Sequence, residues 1–242
     1  MTYYLRTHIG LVRKKNEDNS FAIEKDGCLF AVVADGMGGH SGGEVASQIV
    51  VDTAKQFLSD INNSSLISSD SITGLLSDIN KLVWERALRD KELQGMGSTA
   101  TIINLKGRQA LIGHVGDSRA YLFRSGRLKQ LTKDHSYVQM LIENGYITKE
   151  EALHHPQRNI ITRAIGAENK VDADVMTINL EAGDILLLCS DGLTNAVTDD
   201  QITKTLLEGV AKAADTLIEA ALAFGGTDNI TVFIVETDGE RL

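Results

Sequence analysis

The chain predicts an α+β fold, a single domain in which antiparallel strands layer against paired helices. Strand-like runs crowd the stretch from 98 to 131 with connections only a few residues long. Parallel neighbours need a crossover of about a dozen residues or more, so these strands pair antiparallel and a doubly wound parallel sheet is excluded there. Amphipathic helices come in pairs, at about 43–58 with 71–92 and at about 199–208 with 210–223. Between them, short apolar runs end on an aspartate beside a glycine or another small residue, the mark of buried strands with fixed ends.

Residues 19–24 and 28–34 read as a hairpin closed by Lys25-Asp26-Gly27, since Asp-Gly supports a tight turn. The helix at 43–58 opens on a capping-box spacing, Ser41 with Glu44, and carries Val45, Ile49, Val50, Ala54, Phe57 and Leu58 on one face. Ser59 to Asp70 is rich in serine and asparagine without periodicity and reads as a surface loop. The helix at 71–92 repeats Ile72, Leu75, Leu76, Ile79, Leu82 and Val83 at helical spacing, a face for packing on a sheet. Strands follow at 98–105, 109–115, 119–124 and 128–131. From Ser136 the pattern turns helical, with Gly145 as a stop, Thr148 and Glu151 as a capping box and Pro156 as an end. This excursion, 136–160, lies between two candidate acids and is expected to form a mobile cover over them. Strands at 171–179 and 184–190, a helix capped by Thr198 with Gln201, its partner helix and a last strand at 229–235 complete the order.

The chain has 242 residues, of which 43% are hydrophobic and 24% charged, enough for one substantial core. No apolar run is long enough to span a bilayer, and Met1-Thr2-Tyr3-Tyr4-Leu5-Arg6 lacks the form of a signal peptide, so a cytoplasmic protein is expected. A net charge of −9, with no basic run longer than Arg13-Lys14-Lys15, argues against nucleic-acid binding. Cys28 and Cys189 are too few for a disulfide framework and neither sits in a catalytic pattern. No coiled-coil pattern or long apolar patch calls for an obligate assembly, and a monomer is expected.

Asp35, Asp117 and Asp191 each follow an apolar run, and Asp228 precedes one. Any one of them is an ordinary turn aspartate. Together at the ends of core strands they converge, and carboxylates about 4 Å apart repel by roughly 4 kcal/mol per pair at a protein-like dielectric. Such a group must be protonated, separated or neutralised, and an oxygen-rich set without sulfur favours hard cations such as magnesium or manganese. A multinuclear metal site is expected.

The segments Arg13-Lys14-Lys15-Asn16-Glu17-Asp18, Val33-Ala34-Asp35-Gly36-Met37-Gly38-Gly39, Met96-Gly97-Ser98-Thr99-Ala100, Gly116-Asp117-Ser118-Arg119, Leu131-Thr132-Lys133-Asp134-His135-Ser136, Ser190-Asp191-Gly192-Leu193 and Gly226-Thr227-Asp228-Asn229 occur in this order. In that order they resemble the metal-dependent serine/threonine phosphatases of the PP2C family, in a compact bacterial form, over nearly the entire chain. The resemblance implies a sandwich of two antiparallel sheets with helix pairs outside each face. It implies two principal manganese or magnesium ions and a third, weaker one. Asp35 then bridges two ions with the Gly36 carbonyl completing one, Asp191 and Asp228 hold the second, and Glu17 and Asp18 act through water. Asp117 with Asp191 matches the third ion's ligands, and Arg13 matches the phosphate anchor, for which a guanidinium fork suits phosphate oxygens.

In the implied reaction a hydroxide bridging two ions about 3.5–4 Å apart attacks phosphorus. Many animal members place a histidine directly after the Asp-Gly; here that position is Met37. His40 is the nearest imidazole in sequence to serve as general acid, with a metal-bound water as the competing donor. The implied partners are phosphorylated proteins and a cognate serine/threonine kinase. A catalytically silent phosphoprotein-binding module and a hydrolase of small phosphorylated metabolites are the other readings. Asp134 and His135 read as turn holders, Ser118 and Arg119 as ordering the Asp117 turn, Asn229 as orienting Asp228, Arg163 as pairing a carboxylate at the sheet edge, and Met96 as core.

Overall fold

A computed structural model describes residues 1–39, 42–60 and 67–237. Strands β1 (Thr2–His8), β2 (Asp18–Lys25) and β3 (Cys28–Met37) come first, followed by helices α1 (Gly42–Asp60) and α2 (Ser69–Arg89). Strands β4 (Gly97–Ser98), β5 (Ala100–Lys106), β6 (Gln109–Val115), β7 (Arg119–Arg124) and β8 (Arg127–Gln130) lead to α3 (Tyr137–Glu143) and α4 (Lys149–Leu153). The chain finishes through β9 (Asp174–Asn179), β10 (Ile185–Cys189), α5 (Asp191–Thr194), α6 (Asp199–Leu207), α7 (Val210–Ala223) and β11 (Ile230–Glu236).

One sheet runs β1-β11-β10-β7-β8 and the other β2-β3-β5-β6-β9, with β4 paired to β3. Every pairing is antiparallel, as the short connections require. Successive residues of β3 point to opposite faces. Leu29, Ala31 and Val33 enter a layer between the sheets with Leu186, Leu188 and Phe233. Phe30, Val32 and Ala34 pack under the α1–α2 pair against Val50, Ile72 and Leu76. On the other sheet Leu187, Val232 and Ile234 meet Leu206 and Leu217 of the α6–α7 pair. Strands buried on both faces read as continuous apolar runs rather than alternating ones, which is why these runs stand out. The result is the two-sheet sandwich between helix pairs.

The β2–β3 hairpin turns through Asp26 (φ 52°) and Gly27 (φ 73°), the left-handed pair that a tight two-residue turn demands. Both downstream capping boxes form, at Thr148–Glu151 and at Thr198–Gln201. Ser41, the expected cap of α1, lies outside the described residues. The loop predicted to reach Asp70 ends earlier: Ser68 caps α2, its Oγ accepting from the Ser71 N–H at 3.1 Å. Helix α2 stops at Arg89 rather than 92, because Asp90 caps a separate tight turn over Lys91–Leu93. The strand predicted from 171 begins at Asp174.

Candidate active site

Asp35 lies near the end of β3, directly opposite Asp18 of β2 in register. Its backbone is clamped independently of its side chain. The Asp35 N–H donates to Thr99 Oγ1 at 2.9 Å, and its carbonyl accepts from the Thr99 N–H at 2.8 Å and from Ser98 Oγ at 3.0 Å. The Gly36 N–H donates to the Glu17 carbonyl at 3.1 Å, which fixes Glu17 beside the pair. Any Cβ at Gly36 would collide with the Gly43 carbonyl of α1 and lie 2.7 Å from the Glu17 carbonyl oxygen. Backbone cannot swing aside, so Gly36→Ala is expected to cost about 1–3 kcal/mol of stability, read from the urea midpoint.

Asp18 Oδ2 accepts from Ser190 Oγ at 2.8 Å and from Thr231 Oγ1 at 2.7 Å, which ties the second sheet to the first at this point. The next residue, Asp191, opens α5, and Asn195 Nδ2 donates to its Oδ2 at 2.9 Å. Asn229 joins three segments. Its N–H donates to Asp228 Oδ1 at 2.8 Å, its Oδ1 accepts from the Glu17 N–H at 2.7 Å, and its Nδ2 donates to the Ile9 and Lys15 carbonyls at 2.8 and 2.9 Å. Asp228 Oδ2 takes the Arg13 guanidinium at 2.7 Å, with Arg13 half exposed at the rim. Asp117 follows β6 and is buried.

Three carboxylate oxygens in this group, Asp18 Oδ1, Asp117 Oδ1 and Asp191 Oδ1, are buried with no hydrogen-bond partner. A buried charge without a partner is strongly penalised, so each must bind a proton or a cation. Burial first, and then the charges of Asp191 and Asp228, push the Asp18 carboxyl up to about 7. Burial and the neighbouring charges of Asp191 and Asp134 push Asp117 up to about 8. Asp35 is raised well above the ordinary carboxylate range by burial and then by Asp18, Asp191, Asp117 and Asp228. Asp191 is raised by burial and by Asp228, against a hydrogen bond it shares with Asp35. The mutual influence of these groups places all five acids in one cluster.

The donor set is all oxygen, which suits hard divalent ions, and its orphaned oxygens fit them. Cys189 takes no part; it faces the α6–α7 core and burial pushes its thiol up to about 12. Among the described residues no three or more histidine, cysteine, aspartate or glutamate side chains are gathered so that they could hold a metal ion by themselves. Ions held here would therefore complete their coordination with water and backbone oxygen, as hard ions commonly do.

Residues 11–223 match the sequence profile of Protein phosphatase 2C. The chain belongs to the protein phosphatase 2C family. Serine/threonine phosphatase stp of Listeria monocytogenes serovar 1/2a is 41% identical over 242 residues, spanning 96% of this chain and 94% of its own length. The structure of serine/threonine phosphatase Stp1 from Staphylococcus aureus superposes with a TM-score of 0.93 at 37% identity, covering 98% of this chain and 95% of that one. The catalytic domain of protein phosphatase PstP, solved in complex with 2 manganese ions, superposes with a TM-score of 0.88 at 38% identity and covers 98% of each chain. As a protein phosphatase 2C of bacterial type, this chain is a protein phosphatase.

Of the predicted site residues, the structure gathers Glu17, Asp18, Asp35, Gly36, Asp117, Asp191 and Asp228, with Arg13 at the edge. His40 lies outside the described residues. Arg119, read from the sequence as ordering the Asp117 turn, is half-buried in an ion pair with Asp134, Nη2 to Oδ2 at 2.7 Å, and also donates to Tyr121 Oη at 3.1 Å. Arg163 pairs Asp174 at 3.0 Å, and Met96 is core. Thr231, which holds Asp18, is not evident from the sequence; it is one polar residue inside an apolar strand, and that interruption is its only signal.

Proposed function

We propose that this protein phosphatase 2C releases phosphate from phosphoserine and phosphothreonine in proteins by direct attack of water on phosphorus, and that it opposes a serine/threonine kinase in the cytoplasm as a monomer. The observation that carries this reading is the five-acid cluster, buried at Asp18 and Asp117 and half-buried at Asp35, Asp191 and Asp228, with three unpartnered oxygens beside a half-exposed guanidinium. Asp35 and the Gly36 carbonyl are assigned to the first ion, and Asp35, Asp191 and Asp228 to the second. Glu17 and Asp18 act through water. Asp117 with Asp191 would hold a third, weaker ion, and either manganese or magnesium suits this donor set.

When bound, the ions supply a hydroxide nucleophile near neutral pH and polarise the phosphoryl oxygens. Arg13 rests on Asp228 and has exposed surface from which to turn its planar fork toward a phosphoryl group. The buried Asp18–Ser190–Thr231 and Asp35–Thr99 bonds keep the acids from shifting as charge develops. His40 and water remain the two donors for the leaving alkoxide. Residues 136–160 are assigned as a cover that contacts the protein substrate.

The test is phosphate release from a phosphothreonine peptide by metal-stripped protein, with manganese or magnesium added back. Release is expected to depend on metal, and Asp191→Ala is expected to lower it by about a thousandfold, equivalent to roughly 4 kcal/mol of barrier. Faster turnover of sugar phosphates than of the peptide would overturn the assignment of substrate.

A further inference from the structure

His135 grips the residue before Asp117 from both sides. Its N–H donates to the Gly116 carbonyl at 2.8 Å, and its Nδ1 accepts from the Gly116 N–H at 3.0 Å. Gly116 has φ +113°, and a Cβ there would press on Thr99, 2.6 Å from Cγ2. Thr99 is the residue that holds the Asp35 N–H, and its Oγ1 also bonds Ser118 Oγ at 2.7 Å. The Gly116-Asp117-Ser118 turn is thus wedged between Thr99 and His135. Asp117 itself has a buried, unpartnered Oδ1.

The far side of the imidazole is equally engaged. Because Nδ1 accepts, the neutral ring carries its proton on Nε2, where Asp174 Oδ2 at 3.2 Å receives it. Arg163 Nη1 lies 2.9 Å from the same nitrogen, but its two hydrogens go to the Asp172 carbonyl and Asp174 Oδ1, both at 3.0 Å. Burial, and then the Arg163 charge, hold the imidazole below its usual value, so the accepting form is the stable one. The ring also packs on buried His114, centroids 4.9 Å apart. On its backbone, the His135 carbonyl accepts from the Thr162 N–H at 2.8 Å, and Ser136 bridges Ile161. These bonds form the neck from which α3 and α4 project.

We infer that His135 is a positioning residue for the phosphatase reaction: it sets the direction of Asp117 through Gly116 and ties that acid to the neck of the α3–α4 excursion. This rests on the reading of Asp117 as part of the catalytic cluster. A turn-holding histidine needs only its backbone bond. Here the ring nitrogen adds a second bond to the same glycine, and the Nε2 partners fix the ring's tautomer and plane, the arrangement by which outer groups orient metal ligands.

Three variants of the manganese-loaded protein test it. In His135→Asn the amide oxygen takes the place of Nδ1 and can accept from Gly116; in His135→Gln the amide reaches the Nε2 region instead; His135→Ala does neither. Ala and Gln are expected to lose about tenfold or more in kcat on a phosphothreonine peptide, with KM little changed, whereas Asn restores most of the rate. In an Asp117→Ala background, His135→Ala is expected to cause little further loss, since the two act as one unit. Amide exchange of Gly116 in the metal-free protein should quicken in Ala and Gln and stay slow in Asn, a readout independent of turnover. Equal losses in all three variants that follow their melting temperatures, or additive losses with Asp117→Ala, would overturn the inference. A wild-type protein without metal-dependent release would instead retire the proposed function, with the Gly116 exchange still reporting on the contact.

Discussion

Asp35→Asn is expected to abolish metal-dependent phosphate release while leaving a folded protein. The backbone of residue 35 is held by Thr99 and Ser98, not by its carboxylate, so the amide can occupy the same place. Its carboxylate, however, stands opposite Asp18 and within the influence of Asp191, Asp117 and Asp228, the central position of the cluster. Replacing it removes the acid assigned to both principal ions. The expected loss in kcat/KM on a phosphothreonine peptide is a thousandfold or more, about 4 kcal/mol of transition-state stabilisation. The same substitution removes one member of a set of mutually repelling acids. The metal-free variant should therefore melt at or above the metal-free parent, and added manganese should raise its melting temperature much less. Activity within about tenfold of the parent, some 1.4 kcal/mol, would show that Asp35 is not the shared ligand.

That site is partly legible in the sequence for a physical reason. Strands β3, β6 and β10 have most of their length buried on both faces and so read as unbroken apolar runs, which makes the acids at their ends conspicuous. What holds those acids is not legible. Ser190 and Thr231 reach Asp18 across 172 and 213 residues of sequence, and no local pattern records such a bond. Strand β1 escapes notice because it is an edge strand with no fully buried residue and lacks the apolar signature of its partner β11. Helix α5 is a single turn, too short for any periodicity. His135 reads as a turn holder from its neighbours in sequence. Its partners Gly116, Arg163 and Asp174 come from other segments, and only their meeting at one ring gives it a larger role.

The metal-free protein is expected to lose stability as pH rises from about 6.5 to about 8, and divalent ions to reverse that slope. In the folded state Asp18 titrates at about 7 and Asp117 at about 8. In the unfolded chain both return to about 3.9. Between these values the folded protein holds protons that the unfolded chain has released, so stability falls with pH, and the contribution present at low pH is lost as pH climbs through the folded values. Histidine acts the other way. His114, held at about 4, and His135, also lowered, stay neutral when folded, so stability rises with pH until an unfolded histidine has lost its proton. That gain is half spent at about pH 6.5, the ordinary imidazole value, and essentially complete about one unit higher, so it offsets only part of the decline from the acids, and only at the lower end of the window named. Its size is on the order of a few kcal/mol, since a tenfold change in a group's acidity is worth about 1.4 kcal/mol and the acids repel one another. A divalent ion needs the deprotonated acids, so its binding strengthens over the same range and adds about 2.7 kcal/mol at a hundredfold excess over Kd. Melting curves across this range, with chelator and with manganese, should therefore diverge as pH increases, and Asp35→Asn should flatten the chelator curve. A chelator curve that is flat in the parent would mean that the carboxylates are solvated or already neutralised, and the cluster would not be the buried charge trap described.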